Sequence, residues 1–149
     1  MGMYPALGIS ATGLAAERLR MDVIANNLAN ADSTNGVGDA YRRKAVTMAP
    51  APGGAAFALP RRAGNASVDG AADLHGVAVT GIVEDQSPLR KVYEPGNPEA
   101  DAKGYVTRPN VDAVTEMVDM VAATRAFQAN VTAFEATKAM AKDSLRIIS

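Results

Sequence analysis

Cysteine and tryptophan are absent from this sequence, and histidine occurs once, as His75. Without a thiol there can be no disulfide, no thiolate metal ligand and no cysteine nucleophile. That absence is also compatible with a compartment that oxidises thiols. His75 follows a turn-rich stretch, sits beside a glycine and has no second histidine to share a metal or a proton with, so it reads as a solvated loop residue. An excess of either charge is missing too, with 15 basic residues against 16 acidic ones. Neutralising phosphates needs a positive surplus, so no nucleic-acid partner is expected. No apolar run approaches the roughly 18 residues of a membrane-spanning helix, and no direct membrane insertion is expected. The N-terminal residues show no basic region followed by an apolar run and a small-residue cleavage site. If the protein leaves the cytoplasm, the expectation is a route without a cleaved signal peptide.

Motifs of catalysis are equally scarce. The sequence has no GxxxxGK loop, no HExxH, no calcium-loop spacing and no GxSxG. Gly36-Val37-Gly38 lacks the third glycine and the following helix of a dinucleotide site. The acid pairs Glu84-Asp85 and Glu99 with Asp101 lie in turn-like contexts, with nothing nearby to raise a pKa for acid catalysis. An enzyme built on His75 and these acids would have no activating partner. No catalytic, cofactor-binding or metal-ligating residue is therefore assigned, and no cofactor is expected.

What is present is helical periodicity at both ends. Residues 31–110 hold 10 of the 13 glycines and 7 of the 8 prolines, whereas residues 111–149 contain neither. The chain accordingly divides into an N-terminal helix over 1–30, a turn-rich and partly β middle over 31–110, and a long C-terminal helix over 111–149. Within the middle, 49–75 reads as a flexible excursion. In the C-terminal stretch Met120, Phe127, Phe134, Ala141 and Ile148 recur every seventh residue. Met117, Thr124, Val131, Lys138 and Leu145 form a second row that interleaves with the first at alternating steps of three and four. In the N-terminal stretch Leu7, Leu14, Met21 and Leu28 repeat by seven, and Ala11, Ile24 and Ala25 widen the stripe. The expected fold is mostly α with a small irregular β-rich insert, the two terminal helices pairing as a coiled-coil-like hairpin or bundle.

Local signals place the boundaries. Pro5 suits a first helical turn, and the helix is expected over 6–30 with Asn30 as a left-handed cap. Asn26 and Asn27 either face water or make contacts between helices, where buried asparagine fixes register. Strands are expected at 41–48, 77–84 with a possible bulge at Gly81, and 89–93, with a turn at 94–98. The cluster Arg42-Arg43-Lys44 reads as a solvated strand edge. Either Asn110 or Asp112 is expected to cap the long helix, with Asp112, Glu116 and Asp119 at its positive end.

The seam is imperfect, since Thr124 and Lys138 stand where a two-stranded coil would carry Leu or Ile. Nine alanines between Val111 and Ser149 allow close approach on several faces. This combination favours a bundle with many neighbours, and a head-to-tail contact that does not close on itself generates a filament or tube. Association is thus the function the residues support. A soluble coiled-coil adaptor or secretion-system scaffold would share the seam without forming a tube.

Two blocks carry a family resemblance. The first is Ser10-Ala11-Thr12-Gly13-Leu14 continuing through Arg20 to Asn30 (RMDVIANNLAN), which resembles the signature of flagellar rod, hook and hook-associated axial proteins. The second, GIVEDQSPLRKVYEPGNPEADAKGYVTRPNV followed by EMVDMVAATRAFQANVTAFEATKAM, resembles the proximal rod proteins of the C type in the bacterial flagellar basal body. The resemblance implies a non-enzymatic subunit exported through the flagellar type III export apparatus. It also implies a hollow drive shaft crossing the periplasm and linking the membrane ring to the distal rod and hook. Implied partners are other flagellar rod proteins, the rod-to-membrane-ring adaptor and further copies of the same chain. By motif, Leu14, Met21, Ile24, Asn26, Asn27, Leu28 and Asn30 would be packing residues of the N-terminal helix. Met117, Met120, Phe127, Asn130, Val131 and Phe134 would be those of the C-terminal helix.

Overall fold

The computed structural model describes residues 3–34, 40–51 and 76–148. The expectations for 52–75, including His75 and most of the flexible excursion, lie outside the described residues, as does Gly36-Val37-Gly38. The element order is α1 (Met3–Ala29), β1 (Lys44–Pro50), β2 (Val77–Glu84), β3 (Arg90–Tyr93), β4 (Tyr105–Arg108) and α2 (Ala113–Ile148). Two long helices therefore flank a small β insert.

Helix α1 begins three residues earlier than its periodicity suggests, with Pro5 in the first turn, where a missing N–H costs nothing. Gly8, Ser10 and Gly13 all lie inside it. Its buried positions are Ala16, Val23, Ile24 and Asn27, which lie on one face at helical spacing. The helix ends without a left-handed residue: among the described residues only Gly104 has a positive φ. Asn30 closes the end differently from a left-handed cap. Its backbone N–H reaches the carbonyls of Asn26 and Asn27 at 3.2 and 3.1 Å, and its Nδ2 donates to Asn26 O at 2.8 Å.

Helix α2 is capped by Asp112. Its Oδ1 accepts from the Val114 N–H at 3.1 Å, and its other carboxylate oxygen accepts from the Thr115 hydroxyl at 3.0 Å. Asn110 serves elsewhere, as described below. The two helices run antiparallel. Asn27 meets Glu116, Met21 meets Thr124 and Gly13 meets Asn130, so positions rising along one helix fall along the other. By this register the start of α1 lies opposite about residue 140, and the last two turns of α2 extend past it.

The insert consists of two separate two-stranded antiparallel ladders. In the first, Lys44 faces Glu84 and Pro50 faces Val77. The register shifts between Thr47, opposite Gly81, and Met48, opposite Val79. Thr80 is the extra residue of the resulting bulge, and its hydroxyl donates to Thr47 O at 3.1 Å. Strand β1 starts at Lys44 rather than 41: the Arg43 N–H is taken by the Asn110 side chain, although the Arg43 carbonyl still accepts from the Asp85 N–H. The second ladder pairs Arg90 with Arg108 and Tyr93 with Tyr105. Gly104 turns this hairpin with φ +79°, and a Cβ there would lie 2.9 Å from the Tyr93 ring. Asp101 accepts from the N–H groups of Lys103 and Tyr105, which fixes the turn and holds its carboxyl below the ordinary range. The buried apolar residues are few: Ala16, Val23, Ile24 and Ala123 on the two helices, Ala40 ahead of β1, and Val106 and Val111 in and just after β4.

Candidate functional site: a buried polar junction on the helix pair

The most enclosed side chains of the described residues include two polar ones, Asn27 and Glu116, each 0 % exposed. They come from opposite helices and meet at 2.9 Å, Asn27 Nδ2 donating to Glu116 Oε2. The asparagine amide also runs alongside the chain at Lys44. Its Oδ1 accepts from the Lys44 N–H at 2.9 Å and its Nδ2 donates to the Lys44 carbonyl at 2.8 Å. Side-chain amide thus does for Lys44 what a neighbouring strand would do. The Tyr41 hydroxyl lies 2.8 Å from Oδ1 of both Asn26 and Asn27, which share its single proton. Every hydrogen-bonding position of the Asn27 amide is therefore used, as a group removed from water requires.

Glu116 has its second oxygen matched as well. Arg43 Nε donates to Glu116 Oε1 at 2.6 Å, and Arg43 Nη2 reaches Asp119 at 3.3 Å. The backbone on either side of Arg43 is tied to the later part of the insert. Asn110 Oδ1 accepts from Arg43 N–H at 2.8 Å, while its Nδ2 donates to the Asp85 carbonyl at 3.1 Å. Asp85 N–H in turn donates to Arg43 O at 2.7 Å. One junction therefore joins both helices, the entry to β1, the exit of β2 and the approach to α2. At the far end of the insert, Arg108 bridges Glu94 at 2.7 Å and Asp32 at 3.2 Å, and Asn97 and Arg108 hold the Glu94 carboxyl below its usual range.

Burial, and then the carboxylates of Glu116 and Glu84, push the Tyr41 phenol above its ordinary value of 10.0. The neutral hydroxyl is the form that donates to the asparagines. Its contribution to stability is fully present below the ordinary phenol value and is lost as pH rises through the raised one. In an alkaline titration followed by phenolate absorbance, Tyr41→Phe is expected to remove a component lying above the ordinary phenol value. An unchanged profile would contradict the placement of this hydroxyl.

The sequence-assigned packing residues distribute as follows. Ile24 and Asn27 are buried, whereas Leu14, Met21, Leu28 and Asn30 are half-buried; the Thr124 hydroxyl, which donates to Met120 O at 2.8 Å, lies 3.7 Å from the Met21 sulfur. Asn26 is exposed and engages Tyr41 rather than α2. On α2, Met120, Phe127, Asn130, Val131 and Phe134 are half-buried. Met117 is 53 % exposed and turned outward. Met120, Phe127, Phe134 and Ala141 form one half-buried row; the most enclosed positions beside it, Glu116 and Ala123, lie one position earlier than the second row read from the sequence, of which Thr124 and Val131 are half-buried and Met117 and Lys138 exposed. The reason is Arg43: pairing it fixes Glu116 inward, and Met117 is carried outward by the helical turn. Arg43 and Lys44 are correspondingly part of the junction, not a solvated strand edge. Sequence reasoning missed Tyr41, Arg43, Asn110 and the inward role of Glu116, for which the only local hint is the Asn26-Asn27 doublet.

Close approach marks the other end of the helix pair. A Cβ on Gly13 would lie 3.0 Å from Asn130 Nδ2, so the asparagine lies directly over the glycine. Chemically, the junction offers a matched carboxylate, guanidinium and amide, an arrangement that fastens segments together. Among the described residues no three His, Asp or Glu side chains gather as a metal site, and no helix is long and apolar enough to cross a membrane.

Comparison with known proteins places this architecture. Residues 7–36 match the family described as flagella basal body rod protein, and residues 102–147 match the C-terminal family of the flagellar basal body rod FlgEFG proteins. The chain is 43 % identical to the flagellar basal-body rod protein FlgC of Bacillus subtilis, covering 99 % of both. It is 40 % identical to that of Salmonella typhimurium, covering 99 % of this chain and 98 % of the relative. The protein of the same name in Borreliella burgdorferi is 38 % identical, covering 99 % of both. With helices at both ends, a small fastened insert and relatives that are structural rod proteins rather than enzymes, the chain belongs to the FlgC family of flagellar basal-body rod proteins and is a structural subunit of that rod.

Proposed function

We propose that the subunit builds the proximal part of the rod by packing its terminal helices, paired in a coiled-coil-like manner, against those of neighbouring subunits. The observation that carries this reading is the apolar surface left open on α2. Val114, Met117, Val118, Val121, Met140 and Leu145 are all more than half exposed. Apolar side chains in such number on one helix mark a surface that another element covers. Neighbours would be other flagellar rod proteins, further copies of this chain and the rod-to-ring adaptor, in a shaft that spans the periplasm. Delivery would be through the flagellar type III export apparatus, without a cleaved signal. In this reading residues 1–30 and 111–149 form the shaft, and 31–110 is the part fastened onto it.

The test uses Phe127→Asp and Leu28→Asp, each introduced into the full chain in a strain lacking its own copy. A carboxylate in half-buried apolar surface costs on the order of 2–4 kcal/mol, enough to unseat a helix contact. Expression is expected to persist while the subunit disappears from purified basal bodies and swimming is lost. Normal swimming from both variants would overturn the reading.

A further inference from the structure

The β1–β2 ribbon has two outer edges, and each is secured to α1 at one end only. The Asp85 N–H reaches the Arg43 carbonyl and the Ala51 N–H reaches the Gly76 carbonyl, both across the ladder. Alternation along an antiparallel pair then turns the backbone groups of Lys44, Val46 and Met48 away from β2. It turns those of Val77, Val79, Ile82 and Glu84 away from β1. Asn27 takes both outward groups of Lys44, and the Thr12 hydroxyl takes the Val77 N–H at 3.1 Å. The rest of each edge has no strand beside it, because the ladder holds only two strands. The Glu84 carbonyl meets the Gln86 amide at 3.4 Å. A cleft of about 180 Å³ borders the open edge of β1, lined by Ile24, Val46 and Ala122 together with Arg20 and Lys44. Arg43 and Asp119, also at this cleft, are paired with each other. Arg20 has only a 3.4 Å ion pair with Glu17. Lys44 has no carboxylate partner among the described residues, and its ammonium lies 5.6 Å over the Tyr41 ring.

The geometry points to the open edge of β1 as the seat for β2 of a second copy of this chain. The strand adds antiparallel, with the adjoining copy's Glu84 opposite Val46 and its Ile82 opposite Met48. Each of these pairs exchanges two backbone hydrogen bonds. Strand addition is what an unpaired edge selects, and β2 is the strand that fits. Its open stretch from Val79 to Val83 carries no charge and ends on Glu84, an exposed carboxylate with no ion pair among the described residues. That carboxylate arrives on the face where Arg20 meets the Met48 sulfur, beside Lys44. Strand β3 carries Arg90 and Lys91, which would meet the same cations. In β4 the N–H and carbonyl of Tyr105 are both taken by Asp101. Within one copy β2 already runs antiparallel to β1, so copies pointing the same way along a shaft present antiparallel edges to each other. The contact joins two different edges, so it propagates instead of closing a dimer. It rests on the rod reading and adds to the helix contacts a joint made by the backbone of the insert.

The chain has no cysteine, so introduced cysteines report the contact without background from the chain itself. Full-length Met48→Cys and Ile82→Cys chains are expressed together in a strain lacking its own copy. Purified basal bodies are then oxidised and resolved on a non-reducing gel. Directly opposed strand residues of a hydrogen-bonded pair bring their Cα atoms to about 5.5 Å, within disulfide reach. A disulfide-linked dimer is expected from the mixture and from neither chain alone. Val46→Cys with Glu84→Cys is expected to link as well. Thr47→Cys with Ile82→Cys is expected not to, since successive strand side chains point to opposite faces. Glu84→Lys added to the Ile82→Cys chain is expected to lower the dimer yield at least about threefold, because a cation then meets Arg20 and Lys44. Unchanged circular dichroism of each purified variant separates loss of contact from loss of fold. A dimer from either pair supports the contact. Basal bodies that contain the variants and give a dimer from neither pair overturn it. That result leaves rod membership standing, whereas wild-type protein missing from basal bodies would sink the rod reading itself.

Discussion

Asn27→Leu is expected to destabilise the folded chain by about 3–5 kcal/mol, measured as a shift in urea denaturation followed by circular dichroism. Leucine is close in size, so the loss comes from polarity rather than volume. Three groups lose their partner at once, the Lys44 N–H, the Lys44 carbonyl and one oxygen of Glu116, while the Tyr41 hydroxyl is left with Asn26 alone. Each buried group left unsatisfied costs about 1–3 kcal/mol, and water reaching half-exposed Tyr41 and Lys44 holds the sum below the simple total. Asn27→Asp keeps the acceptors but removes both N–H donors and sets a second carboxylate against Glu116. It is therefore expected to be no milder. A loss under about 1 kcal/mol for Asn27→Leu would show that the junction is solvated rather than closed.

Glu116→Leu carries the second large effect, about 2–4 kcal/mol, and its logic is asymmetric. The substitution leaves Arg43 facing an apolar side chain. Asp119, at 3.3 Å and with its side chain 46 % exposed, replaces only part of what is lost. Removing both members of the pair, as Arg43→Met with Glu116→Leu, is expected to restore most of the stability, because neither charge is then stranded. A double-mutant cycle reads the pair directly. If the double variant is as unstable as Glu116→Leu alone, the ion pair is not the reason Glu116 is buried. Asn27 and Glu116 share a hydrogen bond, so their effects are expected to be less than additive.

The legible part of this fold is the part written in apolar residues. Met120, Phe127 and Phe134 announce α2 and its inward row, and the concentration of glycine and proline between the helices announces the insert. The enclosed position beside that row was hidden because Glu116 is polar, and a hydrophobic pattern passes over polar residues however deeply they sit. Nothing near Glu116 in the chain reveals its partner, since Arg43 lies 73 positions earlier. Strand β4 escaped for a different reason. At four residues, Tyr105–Arg108 is shorter than the windows in which alternation shows, and it ends directly on Pro109. The helix end at Asn30 shows how composition can suggest the right residue for the wrong geometry: the asparagine does close the helix, but through its side chain.

Two of the places where α1 is fitted to α2 are the Asn27–Glu116 bond near the insert and Asn130 lying over Gly13 toward the chain's start. Fourteen positions separate Gly13 from Asn27, and fourteen separate Glu116 from Asn130. A residue gained or dropped between them in one helix alone would rotate everything beyond it by about 100° and slide it by about 1.5 Å, tearing one fastening to keep the other. Descent can thus respell this span letter by letter, but it cannot change its length on one side only. Drift in length is left to the connections outside the paired span.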